Sequence, residues 1–326
     1  MRLSLLPVLA CGLLPLPSQS PGNSAPRDAG AKAPRKERSF EFTYRAEVKD
    51  LPAGAKRADL WIPVPTSDAF QTIEGLAVEC PVPHEFTIEK EYGNRLLHAR
   101  AEPAAPFAVT MKFGATRREQ NAAKAPGREK MRPRLLAPDL LVPLDGKAKE
   151  IASSVAAGIE EPGRKARLFY DHVLSRMTYD KSGKGWGRGD FNYACEVGKG
   201  NCTDFHSMFI GLARASAIPA LFEIGFSIPA DKTEGEIAGY HCWAEFENAA
   251  DGWVPTDISE ASKDPTMREY YFGRLTADRV VLSRGRDLTL EPKQAGGPVN
   301  FLVYPFVEVD GSPHDGVARK FSFRDR

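Results

Sequence analysis

Partway along this chain the spacing of its apolar residues changes from every second position to every third or fourth. Phe40, Phe42, Tyr44, Ala46 and Val48 alternate with Glu41, Thr43, Arg45 and Glu47, and Phe107, Val109, Met111 and Phe113 repeat the pattern. A period of two puts one set of side chains on each face of an extended strand, so both segments read as half-buried strands. Residues 59–64 and 95–101 are further strands, and turns such as Leu51-Pro52-Ala53-Gly54 separate them at the spacing of a small antiparallel sandwich. Residues 39–116 are therefore expected to form a β-sandwich domain. The stretch 117–133 carries eight Lys, Arg or Glu residues and is expected to be exposed backbone, so that 117–144 connects two domains.

Beyond residue 145 the period is helical. Asp145 can cap a helix over 147–157, and Pro162 opens another in which Ala166, Phe169, Tyr170, Val173, Leu174 and Met177 share a face. A third covers 202–217, with Phe205, Met208, Phe209, Leu212, Ala213 and Ser216 on one side and Ile218-Pro219 ending it. Strand-like runs follow at 220–228, 241–247 and 253–258, and the tail adds 301–309 and 317–323, all assigned to a second domain over 145–326. A length of 326 residues fits two domains. Hydrophobic residues at 42% and charged residues at 27% exclude a disordered or polytopic membrane chain. Lys+Arg 44 minus Asp+Glu 43 leaves +1, so no basic field is present to attract nucleic acid.

The first residues have a different character. Arg2 precedes an apolar run broken by Pro7, Pro15 and Pro17, and a polar stretch begins at Ser18. This pattern reads as an export signal, because a spanning helix needs about 20 uninterrupted apolar residues. Val8-Leu9-Ala10-Cys11-Gly12 is similar to a lipobox, in which Cys11 becomes a lipid anchor; ordinary cleavage and retention are the alternatives. Residues 21–38 are rich in Pro, Ala, Gly, Lys and Arg and are expected to form a solvated tether, so 1–38 is leader plus linker. The mature protein is expected to be periplasmic or otherwise associated with the cell envelope.

Cys202 begins the third helix. A helix N-terminus presents unpaired N–H groups and the positive end of the helix dipole, which favour a thiolate, so a nucleophilic cysteine belongs there. His241 begins one strand-like run and Asp257 ends the next. If the two strands are antiparallel neighbours, the imidazole takes the thiol proton and the carboxylate holds the ring in the right tautomer.

Four segments carry a resemblance to a known family: Gly200-Asn201-Cys202-Thr203-Asp204-Phe205-His206, Arg214-Ala215-Ser216-Ala217-Ile218-Pro219-Ala220, Tyr240-His241-Cys242-Trp243-Ala244-Glu245 and Gly252-Trp253-Val254-Pro255-Thr256-Asp257. In this order they resemble successive motifs of the transglutaminase-like superfamily, over roughly residues 145–262. The resemblance implies a papain-like α+β core, with the cysteine helix packed on the sheet that bears the histidine and aspartate. It also implies a catalytic triad of Cys202, His241 and Asp257, acyl transfer through a thioester, and no cofactor. Trp186-Gly187-Arg188-Gly189-Asp190 and Tyr304-Pro305 are similar to exported bacterial members. The family includes cross-linkers, peptidases and inactive proteins, so the expected reaction is hydrolysis of a peptide or isopeptide amide of the cell envelope. Protein cross-linking and an inactive binding module are the alternatives.

Other readings of the same residues are weaker. Cys195, Cys202, His206, His241 and Cys242 include metal-ligand types, but no C-x2-C or H-x3-H pair occurs, and Cys242 should face away from His241 on its strand. No metal is expected. Cys195 is expected to be an unpaired structural cysteine rather than a disulfide partner of Cys202. Asp204 and His206 flank the helix start or touch substrate, and Trp186 or Tyr193 is a candidate oxyanion donor. The glycines around Trp186 lack the G-x4-G-K-[ST] pattern of a phosphate loop.

Overall fold

A computed structural model describes residues 34–125 and 128–326; the expected export signal and the Cys11 anchor lie outside the described residues. The first half supplies strands β1 (Glu37–Val48), β2 (Ala58–Val64), β3 (Gln71–Glu79), β4 (His84–Ile88), β5 (Arg95–Ala101) and β6 (Phe107–Arg118). The middle supplies helices α1 (Lys147–Val155), α2 (Pro162–Arg176), α3 (Phe191–Val197) and α4 (Cys202–Ala215), then β7 (Ala220–Ser227), β8 (His241–Asn248), β9 (Gly252–Thr256), α5 (Ile258–Lys263) and β10 (Arg279–Arg284). Strands β11 (Phe306–Val309) and β12 (Val317–Asp325) complete the chain. The class is α+β.

Two five-stranded antiparallel sheets form the sandwich, one ordered β12-β1-β6-β3 with Glu234–Glu236 beyond β12, the other β11-β2-β5-β4 with Ser312–Pro313 beyond β11. The alternation of β1 is realised in full: Phe40, Phe42, Tyr44, Ala46 and Val48 are all buried. Strands β3 and β4 escaped the sequence reading because they are edge strands with much of both faces in water, where no apolar period is imposed; Phe86 and Ile88 of β4 are exposed.

The tail strands do not belong to the second domain, as the sequence reading had them. Instead β12 pairs along β1, Phe42 opposite Phe323, and β11 pairs with β2, Trp61 opposite Phe306. The free edge of β1, opposite β6, needed a hydrogen-bonding partner, and the C-terminal strand supplies it. Phe321 secures this arrangement by stacking between Tyr44 and Phe226, at centroid distances of 4.7 and 4.5 Å. The tether is also shorter than expected: Arg38 is buried and bonded to Asp325 at 2.8 Å and Asp278 at 2.7 Å.

The connecting segment is only partly the exposed linker expected over 117–133. Arg117 and Gln120 are buried, Gln120 Nε2 donates to Glu245 Oε1 at 2.6 Å, and the Ala123 N–H donates to the Trp253 carbonyl at 3.0 Å. Arg128 forms a salt bridge with Glu245. Polar composition misled because most of these groups pair with one another in the interior, Arg117 Nε being the exception; an unpaired polar group there would cost roughly 1–3 kcal/mol.

The core is a four-stranded antiparallel sheet, β9-β8-β7-β10, with α4 packed on it; Phe209 of α4 meets Phe246 of β8 at 5.9 Å. Every residue from Cys202 through Arg214 is buried, so α4 is enclosed on all sides rather than along the one face read from its period. At α1 the cap is Gly146, with no side-chain cap from Asp145. Gly225 sits at a bulge where β10 crosses closely: a Cβ there would lie 1.8 Å from the Val280 carbonyl oxygen, backbone that cannot move aside. No helix among the described residues is long and apolar enough to cross a membrane.

Candidate active site

The start of α4 is held by a capping box. Asn201 Oδ1 accepts from the Thr203 N–H at 2.9 Å, and Asp204 Oδ2 accepts from the Asn201 N–H at 3.0 Å. Asp204 also accepts from the N–H groups of Gly187 at 2.7 Å and Gly189 at 3.0 Å, which lays the glycine-rich loop on the first helical turn. Gly189 is required there: its φ is +64°, and a Cβ would lie 2.5 Å from Ser207 Oγ. Asp204 is thus buried, caps the start of α4 and organises the loop. Trp186 is half-buried on this loop, and Tyr193 of α3 packs where a Cβ on Gly185 would meet its ring at 2.8 Å.

Cys202, His241 and Asp257 converge as the spacing suggested. Ala244 of β8 pairs with Thr256 of β9, which brings Asp257 alongside the start of β8, and His241 Nε2 is 2.7 Å from Asp257 Oδ2. With Nε2 committed to Asp257, Nδ1 is the His241 nitrogen left for the neighbouring Cys202 sulfur, with which the ring interacts electrostatically. Asp257 caps α5, with Oδ1 accepting from Ser259 Oγ and the Glu260 N–H, both at 3.1 Å, while Arg279 Nη1 donates to Oδ2 at 3.1 Å. All three side chains are buried.

Their proton affinities follow from this arrangement. Burial by itself would raise the Cys202 thiol, but hydrogen bonds from Cys242 and His241 and the charge on His241 hold it well below its ordinary value. Burial would lower His241, yet the Asp257 carboxylate and the Cys202 sulfur push it up to about 10. Asp257 is held below the ordinary carboxylate range against its burial, by His241 and then Arg279. These directions favour a thiolate–imidazolium pair backed by a carboxylate.

The roles of further residues around the site come from the tertiary structure. His206, in the first turns of α4, is fully buried: its Nδ1 donates to the Cys202 carbonyl at 2.7 Å and its Nε2 accepts from the Ile258 N–H at 3.1 Å. Only the neutral Nδ1–H tautomer satisfies both bonds, and burial lowers the His206 pKa accordingly. His206 therefore staples the helix start to the turn that carries Asp257. Tyr240 Oη accepts from Asn201 Nδ2 at 2.9 Å and lies 2.8 Å from Thr203 Oγ1, fixing the turn before His241. Behind Asp257, the Arg279 guanidinium lies 4.7 Å from the Trp243 ring, and Trp243 Nε1 donates to Glu223 Oε2 at 2.7 Å.

Cys80, Cys195, Cys202 and Cys242 are free thiols. Among the described residues no group of three or more His, Cys, Asp or Glu side chains is arranged to hold a metal. A cavity of about 470 Å³ lies between sandwich and core, lined by Phe70, Arg128, Glu245, Trp253 and Arg284 among others. It is reached from Glu245, whose side chain alternates away from the α4-facing Phe246.

The structure thus brings a thiol, an imidazole and a carboxylate together from a buried helix and an antiparallel sheet. Residues 149–258 match the family model of the transglutaminase-like superfamily. An uncharacterized protein from Haemophilus influenzae is 27% identical, the match covering 84% of this chain and 86% of that protein. A candidate cysteine protease from Cytophaga hutchinsonii superimposes with a TM-score of 0.56 at 16% identity, covering 88% of this chain and 98% of that one; this likeness bears on the fold.

Proposed function

We propose that the protein is a thiol hydrolase of the cell envelope that cleaves a peptide or isopeptide amide through a thioester on Cys202. The observation that carries this reading is the bond from His241 to Asp257 beside the buried Cys202 at the head of α4, with the thiol pKa pushed down and the imidazole pKa pushed up. The Cys202 sulfur attacks the acyl carbon, and the His241 imidazolium gives its proton to the departing amine as the C–N bond breaks. Water, relieved of a proton by the now neutral His241, then cleaves the thioester. Asp257 holds the ring and stabilises the imidazolium. The Cys202 N–H at the head of α4 is one oxyanion donor, and the Trp186 indole or the Tyr193 hydroxyl is the candidate second.

Hydrolysis is favoured over cross-linking because water is always present and no amine-donor site is legible. The complete set of Cys202, His241 and Asp257 argues against an inactive binding module. The leader supports action in the periplasm or at the envelope, with Cys11 a candidate lipid anchor, and the partner is an envelope protein or peptide. To test this, the protein and its Cys202→Ala variant are incubated with a cell-envelope extract and the peptides are mass-mapped. New amide-cleavage termini in the wild-type sample alone are expected. Cross-linked peptides instead would make it a transglutaminase, and an unchanged map in both samples would leave a binding module.

A further inference from the structure

We propose that Cys242 is a resolving thiol for Cys202, so that oxidation of the nucleophile by a hydroperoxide ends in a Cys202–Cys242 disulfide that switches the site off reversibly. This is a regulation of the site described above and rests on its thiolate reading. Cys242, Ala244 and Phe246 share one face of β8, and that face is turned to α4, since Phe246 meets Phe209 at 5.9 Å. Cys242 Sγ lies 3.6 Å from His206 Nδ1, and the same nitrogen is 2.7 Å from the Cys202 carbonyl oxygen. Cys242 therefore sits against the first turn of α4, beside the Cys202 sulfur with which it interacts electrostatically. His241 meets that sulfur from the other side of the strand. Cys195, closer in sequence, stands on α3 beside Lys147 and Glu196.

The two thiols are not equivalent. Burial and the adjacent Cys202 sulfur push the Cys242 thiol well above its ordinary value, whereas Cys202 is held down. These directions make Cys202 the thiol that a peroxide meets in its more nucleophilic form. The Cys202 sulfur attacks one peroxide oxygen, the O–O bond breaks, and the other oxygen leaves as an alcohol or water with a proton from the imidazolium. Sulfur has lost two electrons to the peroxide and is now a sulfenic acid. Next the Cys242 sulfur attacks it, the S–S bond forms, the S–O bond breaks, and the departing hydroxide takes the Cys242 proton as water. Two external thiols reverse the disulfide and become a disulfide themselves. Without such a neighbour the sulfenic acid would proceed to sulfinic acid, which thiols do not reduce.

The test uses the full chain and hydrogen peroxide. After brief exposure, remaining thiols are blocked with N-ethylmaleimide and the unreduced digest is mass-mapped. A peptide pair joined through Cys202 and Cys242 is expected, and dithiothreitol should restore iodoacetamide labelling of Cys202 to within about twofold of the untreated rate. In Cys242→Ala the same dose should leave Cys202 as sulfinic or sulfonic acid, with recovery below about a tenth. The proposal is overturned by sulfinic acid at Cys202 in the wild type without the cross-link, by a disulfide to Cys195, by Cys202 left unoxidised, or by full recovery in Cys242→Ala. Should that variant not fold, the wild-type cross-link map decides alone. Untreated Cys202 labelling no faster than Cys80 and Cys195 would sink the thiolate reading itself; fast labelling without a cross-link sinks only the resolving role.

Discussion

His241 and Glu245 lie on the same strand, on the same side by alternation, and both are buried, yet the charge around them is organised in opposite ways. At the start of β8 the carboxylate, imidazole and thiol form a line that ends on a sulfur. At Glu245 the charges close on themselves: Arg128 and Gln120 bond its carboxylate, while Glu223 takes Arg284 Nε and Trp243 Nε1. Burial would raise Glu223, but Arg284 and then Arg128 bring it down to about 2. Burial of charge therefore does not by itself mark a reactive site. What distinguishes the first cluster is a nucleophile at its end and a proton with somewhere to go. The second joins the connecting segment to the core sheet.

The widest separation between the two clusters should appear in turnover. Cys202→Ala is expected to lower amide cleavage by at least about 10⁴-fold, and Asp257→Asn by about 10³-fold, because the ring remains but loses its orientation. Glu245→Gln should stay within about tenfold. Comparable losses in all three, measured as initial rates on a peptide identified from the envelope extract, would erase the distinction.

Stability should show the reverse order. Arg284→Ala leaves the buried Glu223 short of its strongest partner and is expected to cost about 3–5 kcal/mol in urea unfolding, against about 1 kcal/mol or less for Cys202→Ala. The pH dependence has a definite sign. Glu223 is lowered from an ordinary 4.5 to about 2, so its contribution is complete above 4.5 and is lost as the pH falls toward 2. Acid unfolding in that interval should be blunted in Glu223→Gln; an unchanged profile would mean that the cluster does not couple to stability.

Alkylation sharpens the contrast within the cysteines. Burial pushes the Cys195 thiol up to about 11, while Cys202 is held well below 9. Iodoacetamide should therefore label Cys202 at a rate that is flat around neutrality and declines only as the pH drops through its lowered pKa, whereas Cys195 should gain rate into the alkaline range. Parallel rate profiles for the two would contradict the thiolate assignment. The smallest effect is expected at the rim: Arg118 and Glu37 pair at 3.2 Å with about half of each side chain in water, so Arg118→Ala should change stability by under about 0.5 kcal/mol.

The misplaced elements share one cause. Strands β1 and β6 were legible because each buries one face against a core and the alternation is written in consecutive residues. Strand β2 is buried along its whole length, so its apolar run marked a strand without marking its faces. Arg117 and Gln120 look like linker residues until Glu245 and its neighbours are brought to them. The strand at 317–325 carries no sign that it will take the open edge of β1 rather than an edge of the core sheet.

By itself the sequence determined what depends on neighbours within a few positions: the helix that follows Cys202, with Asp204 at its start, and the extended runs that carry His241 and lead to Asp257. Helix caps and hydrophobic periods are local, satisfied by groups one turn or one pleat away, so they can be read before any folding. Tertiary structure alone decided that Arg279 would share an oxygen of Asp257, that His206 would bridge Cys202 and Ile258, and that Cys242 rather than Cys195 would lie against the Cys202 sulfur. Those contacts depend on strand register and on which surface of α4 meets the sheet, and a shift of one residue along β8 would turn Cys242 to the opposite face.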